Sequence, residues 1–314
     1  MLPPSRARRR TIHPAHNAVG LSLALLMLTF SVERVGAQQA MVHPQIDSTT
    51  PVILVTGSTG GLGREVARRL AAQGAHVIVH GRNRERGMEL VSEIERAGHG
   101  SASFYAADLA NLDEVRRFGE TLVRDFQRLD VLVNNAGIFL PRSTERRVSD
   151  DGHELHFAVN YLSGFLLTRM LLPLLERSAP SRIVNVASIA QTPIDFDNVM
   201  LEEDYGGSRA YAQSKLAQIM FTVDLANELK GRGVVAVALH PATLMNTDMV
   251  LEAGIRPRAT IDEGADAVMQ LVTMEDPPNG QYFDGLEPAR ANDEAYDSDA
   301  RARLRELSEA LTAR

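Results

Sequence analysis

From residue 51 onward the chain alternates short β-branched runs with longer amphipathic stretches, and this alternation restricts its fold more than any other feature. Val52 to Val55, His76 to Val79, Ser103 to Ala106, Val131 to Val133, Ile183 to Val186 and Val234 to Leu239 read as strands. Between them, Arg64 to Gln73 carries Val66, Ala67 and Leu70 on one helical side. Met88 to Ile94 and the stretches near 113–126, 153–176 and 210–229 are also helical. Apolar strands separated by helices of this length form a parallel sheet covered on both faces. The chain therefore reads as α/β, with a single doubly wound parallel sheet. No linker or repeat interrupts residues 51–285, which read as one domain, and 286–314 read as a C-terminal helical tail. The apolar run around Leu162 to Leu175 contains Arg169 and Pro173, so it reads as a buried helix or part of a homo-oligomer face rather than a membrane span.

The first strand runs into Thr56-Gly57-Ser58-Thr59-Gly60-Gly61-Leu62-Gly63, which opens the first helix. Gly57 permits a tight turn, Gly61 a close backbone approach to a pyrophosphate, and Gly63 close helix–strand packing. The helix N-terminus offers N–H donors to phosphates, as in Rossmann-type dinucleotide sites. At the end of the second strand, an acidic residue would bond the ribose 2′-hydroxyl of NAD. This chain has His80-Gly81-Arg82-Asn83-Arg84 instead. Gly81 leaves space without negative charge and Arg82 can grip a 2′-phosphate, which favours NADP(H) over NAD(H).

Of the 33 basic residues only two are lysines, Lys215 and Lys230. Lys215 follows Tyr211 by four positions, so on a helix the two side chains share one face. An ammonium beside a phenol favours the phenolate and lowers its pKa from about 10, making a proton donor for a carbonyl oxygen.

Composition narrows the classes. A formal net charge of -7 and the lack of a basic stripe outside the N-terminus argue against nucleic-acid binding. The absence of cysteine removes thiolate metal sites and thiol nucleophiles. His153-Glu154-Leu155-His156 has the wrong spacing for a helical metalloprotease motif, so no metal is expected. Residues 1–40 differ in kind: Arg6, Arg8, Arg9 and Arg10 precede an uncharged stretch from Ala18 to Phe30, then Val35-Gly36-Ala37. This reads as an export signal cleaved near Ala37, placing the product in the periplasm; the alternative is a cytoplasmic protein starting near Met41.

Together these motifs resemble the short-chain dehydrogenase/reductase family over residues 51–285. The loop matches as Thr56-Gly57-x-x-x-Gly61-x-Gly63. Asp108-Leu109 matches the dipeptide that contacts adenine, and Asn134-Asn135-Ala136-Gly137 the segment after the fourth strand. Asn160, Ser188, Tyr211 and Lys215 match the catalytic set. Tyr211-Ala212-Gln213-Ser214-Lys215-Leu216-Ala217, His240-Pro241 and Gly280-Gln281-Tyr282-Phe283 are most similar to the retinol-dehydrogenase-like branch. The chain departs from that pattern at Ala242, where glycine is usual, and an extra residue precedes Thr247. Thr247 or Thr243 is then the implied partner of the nicotinamide amide.

The resemblance implies hydride transfer between the nicotinamide and a carbonyl or alcohol carbon. Tyr211 would be acid or base, and Ser188 would hold the substrate oxygen. Lys215 would bind the nicotinamide ribose and tune the tyrosine, and Asn160 would hold a relay water. Ile194, Phe196, Val199 and Met200, with Leu244, Met245, Met249, Val250 and Leu251, would frame a small apolar carbonyl or alcohol. Met245 and Met249 would share one face of a helical lid. The competing classes are a non-catalytic NADP(H) sensor or scaffold, which could lose the tyrosine or lysine, and a sugar-nucleotide epimerase, which normally has a different glycine spacing and a longer C-terminal region.

Overall fold

The computed structural model describes residues 46–313. Strands β1 (Val52–Val55), β2 (His76–His80), β3 (Ser101–Tyr105), β4 (Val131–Asn134), β5 (Ser181–Val186), β6 (Val234–His240), β7 (Tyr282–Asp284) and β8 (Glu287–Ala289) make one sheet in the order β3-β2-β1-β4-β5-β6-β7-β8. Every pair is parallel except β7–β8. The order reverses between β1 and β4, and in doubly wound sheets ligands bind at such a point, beyond the carboxyl ends of the strands.

Alternation along β1 divides the core. Val52 and Leu54 join one buried cluster with Phe157, Tyr161 and Leu216, while Ile53 and Val55 join another with Val66, Leu90 and Ala265. The second face is covered by α1 (Gly61–Ala72), α2 (Arg84–Ala97) and α7 (Ile261–Thr273). The first is covered by α3 (Leu112–Asp125), α4 (Ser163–Arg177) and α5 (Gly207–Glu228). A short α6 (Asp248–Glu252) precedes α7, and α8 (Ser298–Thr312) packs on the first cluster through Leu304.

The six long strands fall where the sequence places them. β3 and β5 each start two residues earlier than expected; in β3, Ser101 and Ser103 both hydrogen-bond the buried His76 ring, at 2.8 and 3.0 Å. The expected helix over 153–176 instead starts as a π turn at Phe157–Leu162 that continues as α4. Phe157–Arg177 is long and apolar enough to cross a membrane, yet 67% of its apolar window is buried in the protein, so it is a core helix. The export-signal reading falls on residues outside those described.

Candidate active site

A cavity of about 440 Å³ opens over the β1/β4 reversal. The glycine loop and the ends of β2 and β4 wall one side, and Ser188, Tyr211, Lys215 and the segment 240–250 wall the other.

The loop owes its shape to close backbone packing. Gly57 has φ 65°, and a Cβ there would stand 2.9 Å from the Ala136 Cα. A Cβ on Gly63 would stand 2.4 Å from the Gly57 carbonyl oxygen and 2.5 Å from Asn135 Nδ2. Gly63, in the first turn of α1, thus stands directly against the residues that follow β1 and β4, where no Cβ fits. Asn135 and Ala136 donate their N–H groups to Thr56 Oγ1 at 3.0 and 3.1 Å, and Asn135 Nδ2 donates to the Thr56 carbonyl at 2.8 Å. Ser58 Oγ donates to the Val55 carbonyl and accepts from the His80 N–H. Thr56 and Ser58 therefore build the loop from behind, whereas Gly57, Thr59, Gly61, Leu62 and Gly63 face the cavity. Among the described residues, the α1 N-terminus has no side-chain cap at Gly60 and no acid in its first turn. Its open N–H groups fit a pyrophosphate.

His80, which the sequence reading passed over, clips this loop to β2: its Nδ1 accepts the Gly57 N–H at 3.1 Å, and its ring stacks on Phe118 at 4.8 Å. Burial lowers its pKa to about 4, so the ring stays neutral and keeps that acceptor. The expected space at Gly81 is already filled, since a Cβ there would come within 2.6 Å of Thr59 Cγ2. Arg82 is 71% exposed and lies 3.6 Å from Asp108, a geometry that leaves its guanidinium free to turn toward an anion. Asp108, Leu109, Asn135, Ala136, Gly137 and Pro241 all line the cavity.

On the opposite wall, α5 presents Tyr211 and Lys215 from one face. Lys215 Nζ donates to the Val186 carbonyl at 2.9 Å and to Gln218 Oε1 at 2.8 Å, and lies 5.7 Å from the Tyr211 ring centroid. The lysine was expected to lower the phenol pKa, and the geometry corrects this. Burial raises Tyr211, opposed by a hydrogen bond with Ser188, while burial draws Lys215 itself down to about 7. An ammonium that loses its proton near neutrality gives the phenol little field. Gln218, one turn beyond Lys215, is the partner that sequence reading missed.

Ser188 is fixed through its backbone: its carbonyl accepts from Tyr282 Oη at 3.1 Å and Gln191 Nε2 at 3.0 Å. Asn160 lies in the π turn, behind the wall. Its Oδ1 accepts the Ile138 N–H at 2.7 Å and its Nδ2 donates to Ser214 Oγ at 2.9 Å, so its side chain braces the segment after β4. Thr243 and Thr247 both line the cavity, but Thr243 Oγ1 is paired with His240 Nε2 at 3.0 Å, and Thr247 stands against the Gly61 turn.

The apolar part of the wall includes Phe139, Ile189, Leu244, Met245, Met249 and Val250. Ile194, Phe196, Val199 and Met200 instead pack into or against the core, and their segment brings Ile189 and Ala190 to the cavity. Met245 and Met249 do not share a helix: α6 starts at Asp248, and Met245 lies in the preceding turn against Gly264. Leu244 there has φ 52°, a strained conformation for a leucine.

Residues 51–256 match the short chain dehydrogenase family. Retinol dehydrogenase 11 of Homo sapiens is 37% identical over 71% of this chain and 72% of its own length. Retinol dehydrogenase 14 of Mus musculus is 35% identical over 94% of this chain and 95% of its own length. A short chain dehydrogenase from Burkholderia cenocepacia J2315, solved in complex with NADP, superposes with a TM-score of 0.61 at 30% identity over 74% of this chain and 95% of that one. With this fold, this loop and this tyrosine–lysine helix, the chain belongs to the short-chain dehydrogenase family of oxidoreductases, on its retinol-dehydrogenase-like branch.

Proposed function

We propose that this oxidoreductase uses NADP(H) to interconvert an apolar aldehyde or ketone and its alcohol, with Tyr211 as general acid and base. The observation that carries the reading is one cavity shared by the open α1 N-terminus, Arg82, Ser188, Tyr211 and Lys215. The bound nicotinamide supplies or takes up the hydride. Gly57, Thr59, Gly61, Leu62 and Gly63 would hold the pyrophosphate, Arg82 the 2′-phosphate, and Asp108 and Leu109 the adenine. Asn135, Ala136, Gly137, Pro241 and Thr247 would wall the nicotinamide half.

In reduction Tyr211 Oη gives its proton to the substrate oxygen, and in oxidation it takes one back. Ser188 Oγ orients the same oxygen. Lys215 would hold the nicotinamide ribose beside Tyr211, its Nζ 5.7 Å from the tyrosine ring centroid. Asn160 keeps Ile138 and Ser214 in register beside this pair. Phe139, Ile189, Met245 and Met249 favour an apolar substrate, in keeping with relatives named for retinol.

The test is NADPH oxidation over medium-chain and isoprenoid aldehydes and hydrophilic carbonyls, in wild type and in Tyr211→Phe. The wild type should prefer the apolar set, and the variant should lose about a hundredfold or more in turnover while still binding NADPH. A wild type that binds NADPH but reduces none of these carbonyls would be a sensor rather than an enzyme.

A further inference from the structure

We infer that Glu154 and His156 form a buried positioning couple that fixes the ring of Tyr211 and the segment Ile138–Leu140 beside it, an inference that rests on Tyr211 being the acid and base. The two residues lie on the approach to the π turn, in the segment whose spacing excludes a metalloprotease site. Both are almost completely enclosed, at 1% and 0% exposure.

Their hydrogen bonds define one arrangement. His156 Nε2 accepts the Leu140 N–H at 3.1 Å, so that nitrogen carries no proton and Nδ1 carries the hydrogen. Nδ1 then donates to Glu154 Oε1 at 2.9 Å. Glu154 Oε2 accepts the Phe157 N–H at 2.8 Å, and Tyr205 Oη reaches Oε1 at 3.5 Å. A buried carboxylate is costly unless its oxygens are satisfied, and here three donors converge on it. The carboxylate selects the imidazole tautomer, and the tautomer selects which backbone N–H it can receive.

What the couple holds is the tyrosine's surroundings. The His156 ring meets Tyr211 edge-on at 6.2 Å, and Phe139, next to the residue that His156 binds, packs on Tyr211 at 4.5 Å. Phe139 is also part of the cavity wall. The same carboxylate touches Tyr205, and the Glu154 N–H lies 3.3 Å from Met200 Sδ. The couple thus joins the segment after β4, the insertion before α5 and the catalytic helix. Loss of the couple would let the tyrosine ring and Phe139 drift relative to the reacting carbon, while the glycine loop lies outside its contacts.

The experiment compares wild type, His156→Ala, His156→Gln, Glu154→Gln and Tyr211→Phe, measuring kcat and KM for an apolar aldehyde, the NADPH dissociation constant and thermal stability. His156→Ala should lower kcat roughly ten- to hundredfold, as small misplacements of a reacting group do. Its NADPH affinity should stay near wild type. His156→Gln keeps an acceptor for the Leu140 N–H and should recover most of that loss; Glu154→Gln should fall between them. If His156→Ala keeps kcat within about twofold, or loses kcat and NADPH affinity together with no recovery in His156→Gln, the couple merely packs the core. Should His156→Ala fail to fold, the two glutamine variants decide by the same split between kcat and NADPH affinity. Near-wild-type turnover in Tyr211→Phe would instead remove the tyrosine mechanism itself, whatever the histidine variants do.

Discussion

The two ends of the cavity are made from different materials. The glycine-loop end is formed by backbone: Gly57 and Gly63 admit no Cβ, and Thr56, Ser58, Asn135 and His80 tie the turn to its neighbours. The other end is formed by side chains on short elements, and some of them stand out in solvent, with Ile189 at 56% and Met249 at 37% exposure. A wall of backbone accepts one ligand shape, because moving it breaks several hydrogen bonds at once. A wall that includes unbranched methionines adapts to many shapes at small cost. Under the proposed function, fixed cofactor recognition and adjustable substrate recognition follow from what each end is built of.

Lys215 stands at the side-chain end beside Tyr211, and its replacement gives the largest expected effect. Its pKa in the folded protein is about 7 against an ordinary 10.5, so the unfolded chain holds this proton more tightly. The lysine therefore costs stability increasingly as pH falls from 10.5 to 7, and by a constant amount below that. Lys215→Met should abolish turnover yet raise thermal stability, by on the order of a few kcal/mol below pH 7, with the gain fading toward alkaline pH. Melting curves across that range check it; a destabilised Met variant at pH 6 would show that the two hydrogen bonds to Lys215 outweigh its burial.

Gly63→Ala breaks the backbone end. Overpacking costs about 1–3 kcal/mol, which as a shift of the loop corresponds to roughly five- to 150-fold weaker NADPH binding. Titration of NADPH fluorescence reads this directly, and unchanged affinity would mean that the loop yields. Arg82→Glu acts at the exposed rim of the same end and should move preference from NADP(H) toward NAD(H), by about 1.5–3 kcal/mol for a lost charge-assisted contact. Gly81→Asp is the poorer probe, because the new side chain must first displace Thr59. Equal kcat/KM ratios for the two cofactors before and after Arg82→Glu would reduce Arg82 to a surface cation. Met249→Ser should have the smallest effect, a few-fold rise in KM for apolar aldehydes with kcat and NADPH affinity retained, since part of a side chain's burial is worth about 1 kcal/mol. A loss of NADPH affinity there would show that the two ends are not independent.

The contrast also explains what could be read from the sequence. Backbone constraints leave local marks: Gly57, Gly61 and Gly63 follow a strand and open a helix, and β1 to β6 announce themselves by apolar runs. Ser188, Tyr211 and Lys215 do meet in one cavity. The strands β7 and β8 have three residues each and α6 has five, too few to show a period. Helix α7 did carry a sign, the reciprocal capping of Thr260 and Glu263. Contacts made across long separations left none: nothing in the order of residues brings His156 to Tyr211, Gln213 to the Val199 carbonyl, or Ile194 into the core rather than the cavity. The phenol was misjudged for the same reason, because burial of Lys215 is a property of the packed protein.

Tyr282, Asn292, Glu294 and Ser308 all lie beyond residue 256, where the family match ends. Tyr282 bonds the Ser188 carbonyl, the Asn292 N–H reaches Gln191, Glu294 receives the Ile194 N–H, and Ser308 pairs with Tyr161. The far end of the chain is therefore a set of struts beneath the serine, its insertion and the π turn. Substitutions there can tilt the substrate-facing wall without altering any residue that meets cofactor or substrate. Selection for a new substrate can work through such remote positions, and a library confined to the cavity lining would miss them.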